Sequence, residues 1–146
     1  MSRRITARAI IVNEQGKLFS VRQKNLDGLI NSFWSTPGGG LDDLESLENG
    51  LHRELVVETG VSPQIGRLIY IQQYRVGSDD EQLEFFFQVL NAKDYENINL
   101  SKTTHGELEL TEFGFIDPRK EKILPEFLSK EDLTNLPKTV KIISYL

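Results

Sequence analysis

The segment from residue 38 to residue 61 constrains the fold and chemistry of this chain most. It reads GGGLDDLESLENGLHRELVVETGV. Three consecutive glycines let the backbone come close to another group, because glycine has no side chain. The residues that follow predict a helix over Ser46–Thr59, with leucines at every fourth position on one face. Gly60 is a typical C-terminal end for that helix.

The predicted helix carries two glutamates, Glu54 and Glu58, whose spacing of four places both carboxylates on one face. Like charges at this spacing repel by about 0.2–0.5 kcal/mol, and a divalent cation between them would remove that cost. Oxygen ligands suit Mg²⁺ or Mn²⁺, and Mg²⁺ is usually held by a few carboxylates and substrate phosphates. The alternative is an ordinary solvent-exposed helix face, because most charged surface side chains are simply solvated by water.

The spacing of the whole segment resembles the Nudix box, the signature of the Nudix hydrolases. The positions that match are Gly39, Glu45, Arg53, Glu54, Leu55, Glu58, Gly60 and Val61. Two positions depart from the pattern. Val57 stands where the family has the first of two adjacent glutamates, so three carboxylates become two, and Leu44 stands where a glycine often precedes the first glutamate.

The resemblance implies a mixed α/β (α+β) fold, a Nudix-type α/β/α sandwich with a mixed sheet, one box helix and C-terminal helices. It implies a single domain over residues 1–146. Turn-flanked apolar stretches agree, because Ile5–Val12 and Lys17–Gln23 predict a hairpin. Further strands are predicted at Phe33–Ser35, Ile65–Val76, Leu83–Leu90 and Leu108–Ile116, and C-terminal helical segments at Pro125–Leu128, Ser129–Leu136 and Thr139–Leu146.

Nudix enzymes cleave a pyrophosphate linkage in a nucleoside diphosphate that is joined to another group. The resemblance implies that Glu54, Glu58 and the backbone carbonyl of Gly38 bind Mg²⁺ (or Mn²⁺). It implies that Arg53 and Glu45 are mainly structural and fix the positions of the loop and the helix. It also implies one more glutamate as ligand or base, for which the candidates are Glu107, Glu109 and Glu112, with Glu109 favoured.

Candidate substrate contacts lie near the box. Arg22 is a candidate phosphate contact, and Trp34 is a candidate for stacking on a base, although core packing explains such an aromatic residue equally well. Gly39 and Gly40 are candidates because a glycine backbone can approach a phosphate closely. The substrate classes that stay open are nucleoside triphosphates and nucleotide sugars.

Composition narrows the classes of protein to which the chain can belong. The absence of cysteine excludes thiolate catalysis, zinc–thiolate sites and iron–sulfur clusters, and it fits a cytoplasmic protein. The net charge of −5 argues against binding a nucleic acid polymer but permits a small nucleotide substrate. No apolar stretch is long enough for a membrane span. The resemblance also allows a homodimer.

Two rival interpretations stand beside a metal-dependent hydrolase. Val57 favours a nucleotide-binding or regulatory Nudix domain with weak or no hydrolysis, because one charged ligand fewer weakens metal binding. An unrelated α/β domain with a coincidental box is the third interpretation. Restoring the carboxylate at position 57 discriminates the first two.

Overall fold

The computed structural model describes residues 2–25, 33–98, 101–104 and 109–146, and these form ten strands and one α-helix. The elements are β1 (Ser2–Ile10), β2 (Leu18–Asn25), β3 (Trp34–Ser35), β4 (Gly38–Gly40), α1 (Leu47–Thr59), β5 (Ile65–Val76), β6 (Asp80–Val89), β7 (Ser101–Thr104), β8 (Glu109–Ile116), β9 (Ile123–Leu124) and β10 (Lys141–Ser144). Short 3₁₀ helices occupy Ala92–Tyr95 and Glu126–Lys130.

The chain divides into two compact units, each built around one five-stranded sheet. The first unit comprises Met1–Ile10, Pro37–Leu90 and Leu136–Leu146, and the second comprises Ile11–Thr36 and Asn91–Asn135. In the first sheet the strand order is β10-β5-β6-β1-β4, with β1 parallel to β6 and β10 parallel to β5. The other two pairings are antiparallel, which confirms the predicted α/β fold with a mixed sheet.

Helix α1 packs against β1 and β4 in the first unit. Ser46 caps its start, because the Ser46 hydroxyl accepts a hydrogen bond from the Asn49 N–H at 3.1 Å. Gly60 ends it in the left-handed region, with φ 77°. Leu51 and Leu55 are fully buried, so the predicted helix and its apolar face are confirmed. No helix in the described part of the chain is long and apolar enough to cross a membrane.

The second sheet has the strand order β7-β8-β2-β3-β9. Its core is aromatic. The Phe19 ring lies 5.2 Å from the Tyr95 ring, 5.9 Å from Phe113 and 5.4 Å from Phe115, measured between centroids. Rings at such distances contribute about 0.5–1.5 kcal/mol per pair beyond their buried area.

The predicted hairpin between the first two strands is wrong as a sheet pairing. The turn exists, since the Gly16 N–H donates to the Asn13 carbonyl at 3.0 Å, and Val12 and Leu18 form an isolated bridge. Beyond that bridge, however, β1 pairs with β4 and β6, whereas β2 pairs with β3 and β8. Alternating apolar residues predict a strand and its buried face but not its partner, because any other strand with the same alternation can pair with it.

The predicted C-terminal helices are also wrong in detail. Residues 141–144 form β10, which pairs in parallel with β5 rather than forming a helix. The β-branched pair Ile142 and Ile143 favours a strand once an edge is free to accept it. Upstream, a five-residue 3₁₀ helix at Glu126–Lys130 is followed by a turn in which Asp132 accepts a hydrogen bond from the Thr134 N–H at 3.0 Å. Asp side chains favour such turns over helices.

Candidate metal and phosphate site

The glycines of β4 form the edge of the first sheet, beside β1. The Ala9 N–H donates to the Pro37 carbonyl at 3.0 Å. In an antiparallel ladder, hydrogen-bonded pairs alternate with pairs that are not bonded to each other. The next pair, Gly38 opposite Arg8, is therefore unbonded, and both backbone polar groups of Gly38 point away from β1. By the same alternation, the backbone N–H and carbonyl of Gly40 also point away from β1, toward the unpaired edge of β4.

Two glutamates of α1 lie against these glycines. The Gly38 N–H donates to Oε1 of Glu58 at 3.0 Å. A Cβ added to Gly39 would lie 2.8 Å from the carboxyl carbon of Glu54, so any side chain there would displace this carboxylate. Both carboxylates thus approach adjacent residues of one strand, and the Gly38 carbonyl faces the same edge. The structure therefore brings the predicted metal ligands together.

Arg53 joins the glycine strand, the loop and the helix. Its guanidinium donates to both oxygens of Glu45 at 2.9 Å, to Oε1 of Glu54 at 2.9 Å and to the Gly40 carbonyl at 3.1 Å. The hydrogen bond from Arg53, with one from the Asp42 N–H, lowers the pKa of Glu45 to about 2. The hydrogen bonds from Arg53 to Glu45 and Glu54 raise the pKa of Arg53 above its ordinary value. Arg53 therefore fixes the orientation of the Glu54 carboxylate.

The donor set fits Mg²⁺ or Mn²⁺. Burial raises the pKa of Glu58 to about 7 against the opposing effects of the Gly38 N–H and the Arg8 charge. A nearby cation would compensate this buried carboxylate. Two carboxylates and one backbone carbonyl leave room for phosphate oxygens and water, as Mg²⁺ prefers. Within the described ranges, no group of three or more Asp, Glu, His or Cys side chains is placed to hold a metal ion. Val57, which replaces the usual additional glutamate, is 75% exposed to solvent.

The loop before α1 contains a strained residue. Leu44 has φ 60° although it is not a glycine, and its side chain is fully exposed. A left-handed conformation costs such a residue about 1–2 kcal/mol, and glycine avoids this cost at the expense of a more flexible unfolded chain. We expect Leu44→Gly to raise the free energy of unfolding by about 0.5–1 kcal/mol, measured by urea denaturation. Leu44→Ala keeps the strain and should give no gain; an equal gain from both would contradict this account.

Arg22 and Trp34 lie together in the second unit. The Arg22 guanidinium lies 4.3 Å from the Trp34 ring centre and pairs with Glu112 at 2.6 Å. Trp34 is 9% exposed, and its indole N–H has no hydrogen-bond partner in the described chain. Glu109 is the first residue of β8, where its backbone pairs with Asn25. The remaining candidate, Glu107, lies outside the described residues.

Sequence reasoning missed a polar face on the first sheet. Arg4, Thr6 and Arg8 alternate along β1, and Glu84 on β6 accepts hydrogen bonds from the Thr6 hydroxyl and the Arg8 guanidinium, each at 3.0 Å. The signal was present in the sequence, since polar residues occupy every second position from 4 to 8.

Comparison with known proteins agrees with the box and the fold. The family model described as NUDIX domain matches residues 2–136. An RNA pyrophosphohydrolase of Shewanella denitrificans is 30% identical over 115 residues, which are 68% of this chain and 63% of that protein. A putative 8-oxo-dGTP diphosphatase of Bacillus subtilis is 29% identical over 122 residues, which are 81% of this chain and 75% of that protein.

Among solved structures, a MutT protein from Bacillus halodurans has a TM-score of 0.67 at 19% identity, with 97% of this chain and 90% of that chain covered. At this identity the likeness supports the fold alone. The present chain spans just under two thirds of the Shewanella relative, 63% of its length. The box residues, the mixed sheet beside a single described α-helix and the family match over residues 2–136 together show that this chain belongs to the NUDIX domain family.

Proposed function

We propose that this chain hydrolyses a pyrophosphate bond in a nucleoside diphosphate derivative, either a nucleoside triphosphate or a nucleotide sugar. The observation that carries the proposal is the approach of Glu54 and Glu58 to the glycine edge of β4. Relatives named as a pyrophosphohydrolase and a diphosphatase support the same class of reaction. A cysteine-free composition supports a cytoplasmic location. We also propose a homodimer, which sedimentation of the purified chain would test.

Glu54, Glu58 and the Gly38 carbonyl would hold Mg²⁺ or Mn²⁺. When bound, such an ion neutralises phosphate oxygens and activates water for attack on phosphorus. The Gly38 N–H fixes one oxygen of Glu58. Arg53 fixes Oε1 of Glu54, and Oε2 has no hydrogen-bond donor within the part of the chain that the structure describes. The chain therefore presents two oriented carboxylates to a cation and its phosphate ligands.

The remaining candidates rest on residue type and on the family resemblance. Gly39 and Gly40 stay candidate phosphate contacts through their backbone, although the Glu54 carboxylate lies over Gly39 and the Arg4 guanidinium lies over Gly40. Glu109 is proposed as the further ligand or base on the strength of the family resemblance. Arg22 and Trp34 stay candidates for phosphate and base contacts, although Arg22 covers one face of the Trp34 ring. Arg53 supports catalysis by positioning Glu54.

A nucleotide-binding domain without hydrolysis is the second candidate function, and Val57 is the observation that favours it. Val57 lies on α1 three residues after Glu54 and its side chain is exposed, so a longer acidic side chain fits there. We expect Val57→Glu to strengthen Mn²⁺ binding about 10-fold, as one more charged ligand should, and to raise turnover. Calorimetric titration with Mn²⁺, followed by a hydrolysis assay, measures both quantities.

The matched control is Val56→Glu, which adds the same charge to the neighbouring position of α1. Val56 is 37% exposed, so the helix should tolerate the change. Stronger Mn²⁺ binding and faster turnover in the Val57 variant alone would support hydrolysis at a weak metal site. If the wild-type chain binds no Mn²⁺ and neither variant gains affinity, the proposed hydrolysis is contradicted.

A further inference from the structure

The polar face of the first sheet contains a fixed hydrogen-bond network. Thr6, Glu84 and Gln72 are aligned across β1, β6 and β5. Glu84 is 5% exposed, and its carboxylate accepts from the Thr6 hydroxyl, the Gln72 amide and the Arg8 guanidinium, each at 3.0 Å. Three donors fix the orientation of this carboxylate, and its negative charge neutralises the charge of Arg8.

Arg4 differs from its neighbours on β1. It lies two residues before Thr6, on the same face, and its side chain is exposed. Arg3 and Arg8 each pair with a glutamate, whereas Arg4 has no ion pair with any acid in the described ranges. Its guanidinium lies over Gly40, where an added Cβ would be 3.2 Å from Nε and Nη2. The missing side chain at position 40 thus makes the space that Arg4 occupies.

The next row of the sheet adds a polar group beside Arg4. Arg4 is aligned with Gln82 on β6, and Gln82 is aligned with Tyr74 on β5. Oε1 of Gln82 is buried and has no hydrogen-bond donor within the described residues. A buried acceptor without a donor is costly. The Gln82 side chain as a whole is half-buried, so a rotation of its amide that brings Oε1 to a ligand hydroxyl would relieve that cost. The row therefore offers one cation and one unsatisfied acceptor side by side.

This row lies close to the proposed metal edge. Gly40, beneath the Arg4 guanidinium, is two residues from Gly38, which corresponds to about 7 Å along a strand. At this distance one molecule can reach both Arg4 and the phosphates bound to a metal ion that Gly38 and Glu58 would hold. A group bound at Arg4 would be separated from those phosphates by a spacer about the size of one sugar.

We propose that Arg4 and Gln82 form a second recognition position, which binds a phosphate carried on the sugar of the nucleotide and a neighbouring hydroxyl of that sugar. This inference rests on the proposed function, because it assumes that the 5′ polyphosphate lies at the β4 edge. The sugar phosphate has two sources, a free 3′-phosphorylated nucleotide or the first phosphodiester at the 5′ end of an oligonucleotide. Recognition in either case involves one linkage, so it is compatible with the acidic net charge.

Three variants separate this position from a general charge effect. Arg4→Gln removes the cation. Gly40→Ala leaves Arg4 in the chain but places a Cβ 3.2 Å from its Nε and Nη2, so the guanidinium must shift by a few tenths of an ångström, and Gly40 has no positive φ that would strain an alanine. Arg3→Gln is the control, because it removes the same charge from an adjacent exposed residue that pairs with Glu81.

The measurement is calorimetric binding of adenosine 3′,5′-bisphosphate and of adenosine 5′-monophosphate at one ionic strength, with Mg²⁺ present. We expect the wild type and Arg3→Gln to prefer the bisphosphate about 10-fold, the value of one hydrogen-bonded charge contact. Arg4→Gln should abolish the preference, and Gly40→Ala, which only shifts the guanidinium, should reduce it. Equal binding of both ligands by the wild type, or equal losses in Arg3→Gln and Arg4→Gln, would overturn the proposal.

Hydrolysis assays then separate this inference from the proposed function. A 5′-triphosphorylated dinucleotide and a 3′-phosphorylated nucleoside triphosphate are compared with the plain triphosphate, and the favoured one identifies the source of the phosphate. A chain that prefers the bisphosphate in binding but hydrolyses none of the three contradicts the proposed function and supports the second position. A chain that hydrolyses the plain triphosphate and shows no bisphosphate preference supports the proposed function and contradicts the second position.

Discussion

Glu58→Gln should lower turnover at least about 100-fold while leaving the metal-free protein no less stable than the wild type. Glutamine has the same shape and can still accept the hydrogen bond that Gly38 donates to Glu58 at 3.0 Å. It lacks the negative charge that a divalent ion needs. Since burial disfavours that charge in the metal-free protein, its removal should cost no folding free energy. Turnover, Mn²⁺ titration and urea denaturation measure the three effects.

Glu48→Gln is the matched control for this change. Glu48 lies in the first turn of the same helix and its side chain is exposed, so its substitution removes one acid without touching the glycine edge. We expect turnover within about twofold of the wild type, since an exposed surface charge contributes little. Turnover retained by the Glu58 variant, or lost equally in both, would contradict the assignment of Glu58 as a metal ligand.

Gly38→Ala should reduce the free energy of unfolding by at least about 3 kcal/mol. An added Cβ would lie 2.2 Å from the Ala7 carbonyl oxygen and 2.8 Å from the Arg8 Cα, so the backbone of β1 or β4 would have to move. Position 38 also has φ 137°, which only glycine adopts readily. Because the Gly38 N–H binds Glu58, the variant should lose metal affinity as well as stability. Urea denaturation and Mn²⁺ titration measure both.

Gly77→Ala separates backbone strain from the clash. Gly77 has φ 65°, but an added Cβ there would meet nothing within 4 Å. We expect it to cost about 1 kcal/mol, the usual penalty of a left-handed alanine. A loss at position 38 no larger than that at position 77 would show that the close approach of β4 to β1 is not a constraint.

The box was the part of the site that sequence reasoning could predict. Its spacing places Glu54 and Glu58 on one face of α1, and a capping serine and a terminal glycine define the helix that carries them. The contacts of Arg53 with Glu45 and Glu54 also follow from short separations along the chain. That Glu58 is held by the Gly38 backbone could not be predicted, because it depends on which groups of β4 point away from β1.

Most features that the sequence did not predict depend on pairing between strands that lie far apart along the chain. The strand periodicities of β5 and β6 are strong, and their antiparallel pairing follows from a short turn between them. The parallel pairing of β1 with β6, and of β10 with β5, joins residues about 70 or more positions apart, as in Ser2 opposite Asp80 and Lys141 opposite Tyr70. Local patterns do not encode such partners, so the row that contains Arg4 and Gln82 became visible only in the folded sheet.

Metal-dependent hydrolysis is tested by the release of phosphate or pyrophosphate from a panel of nucleoside triphosphates, nucleotide sugars and dinucleotides. Each reaction is run with Mg²⁺ or Mn²⁺, with a chelator, and with Glu58→Gln in place of the wild type. We expect turnover of at least one substrate, and this turnover should require the divalent ion and disappear in the variant. No turnover across the panel, together with tight binding of one nucleotide, would contradict hydrolysis and favour a binding domain.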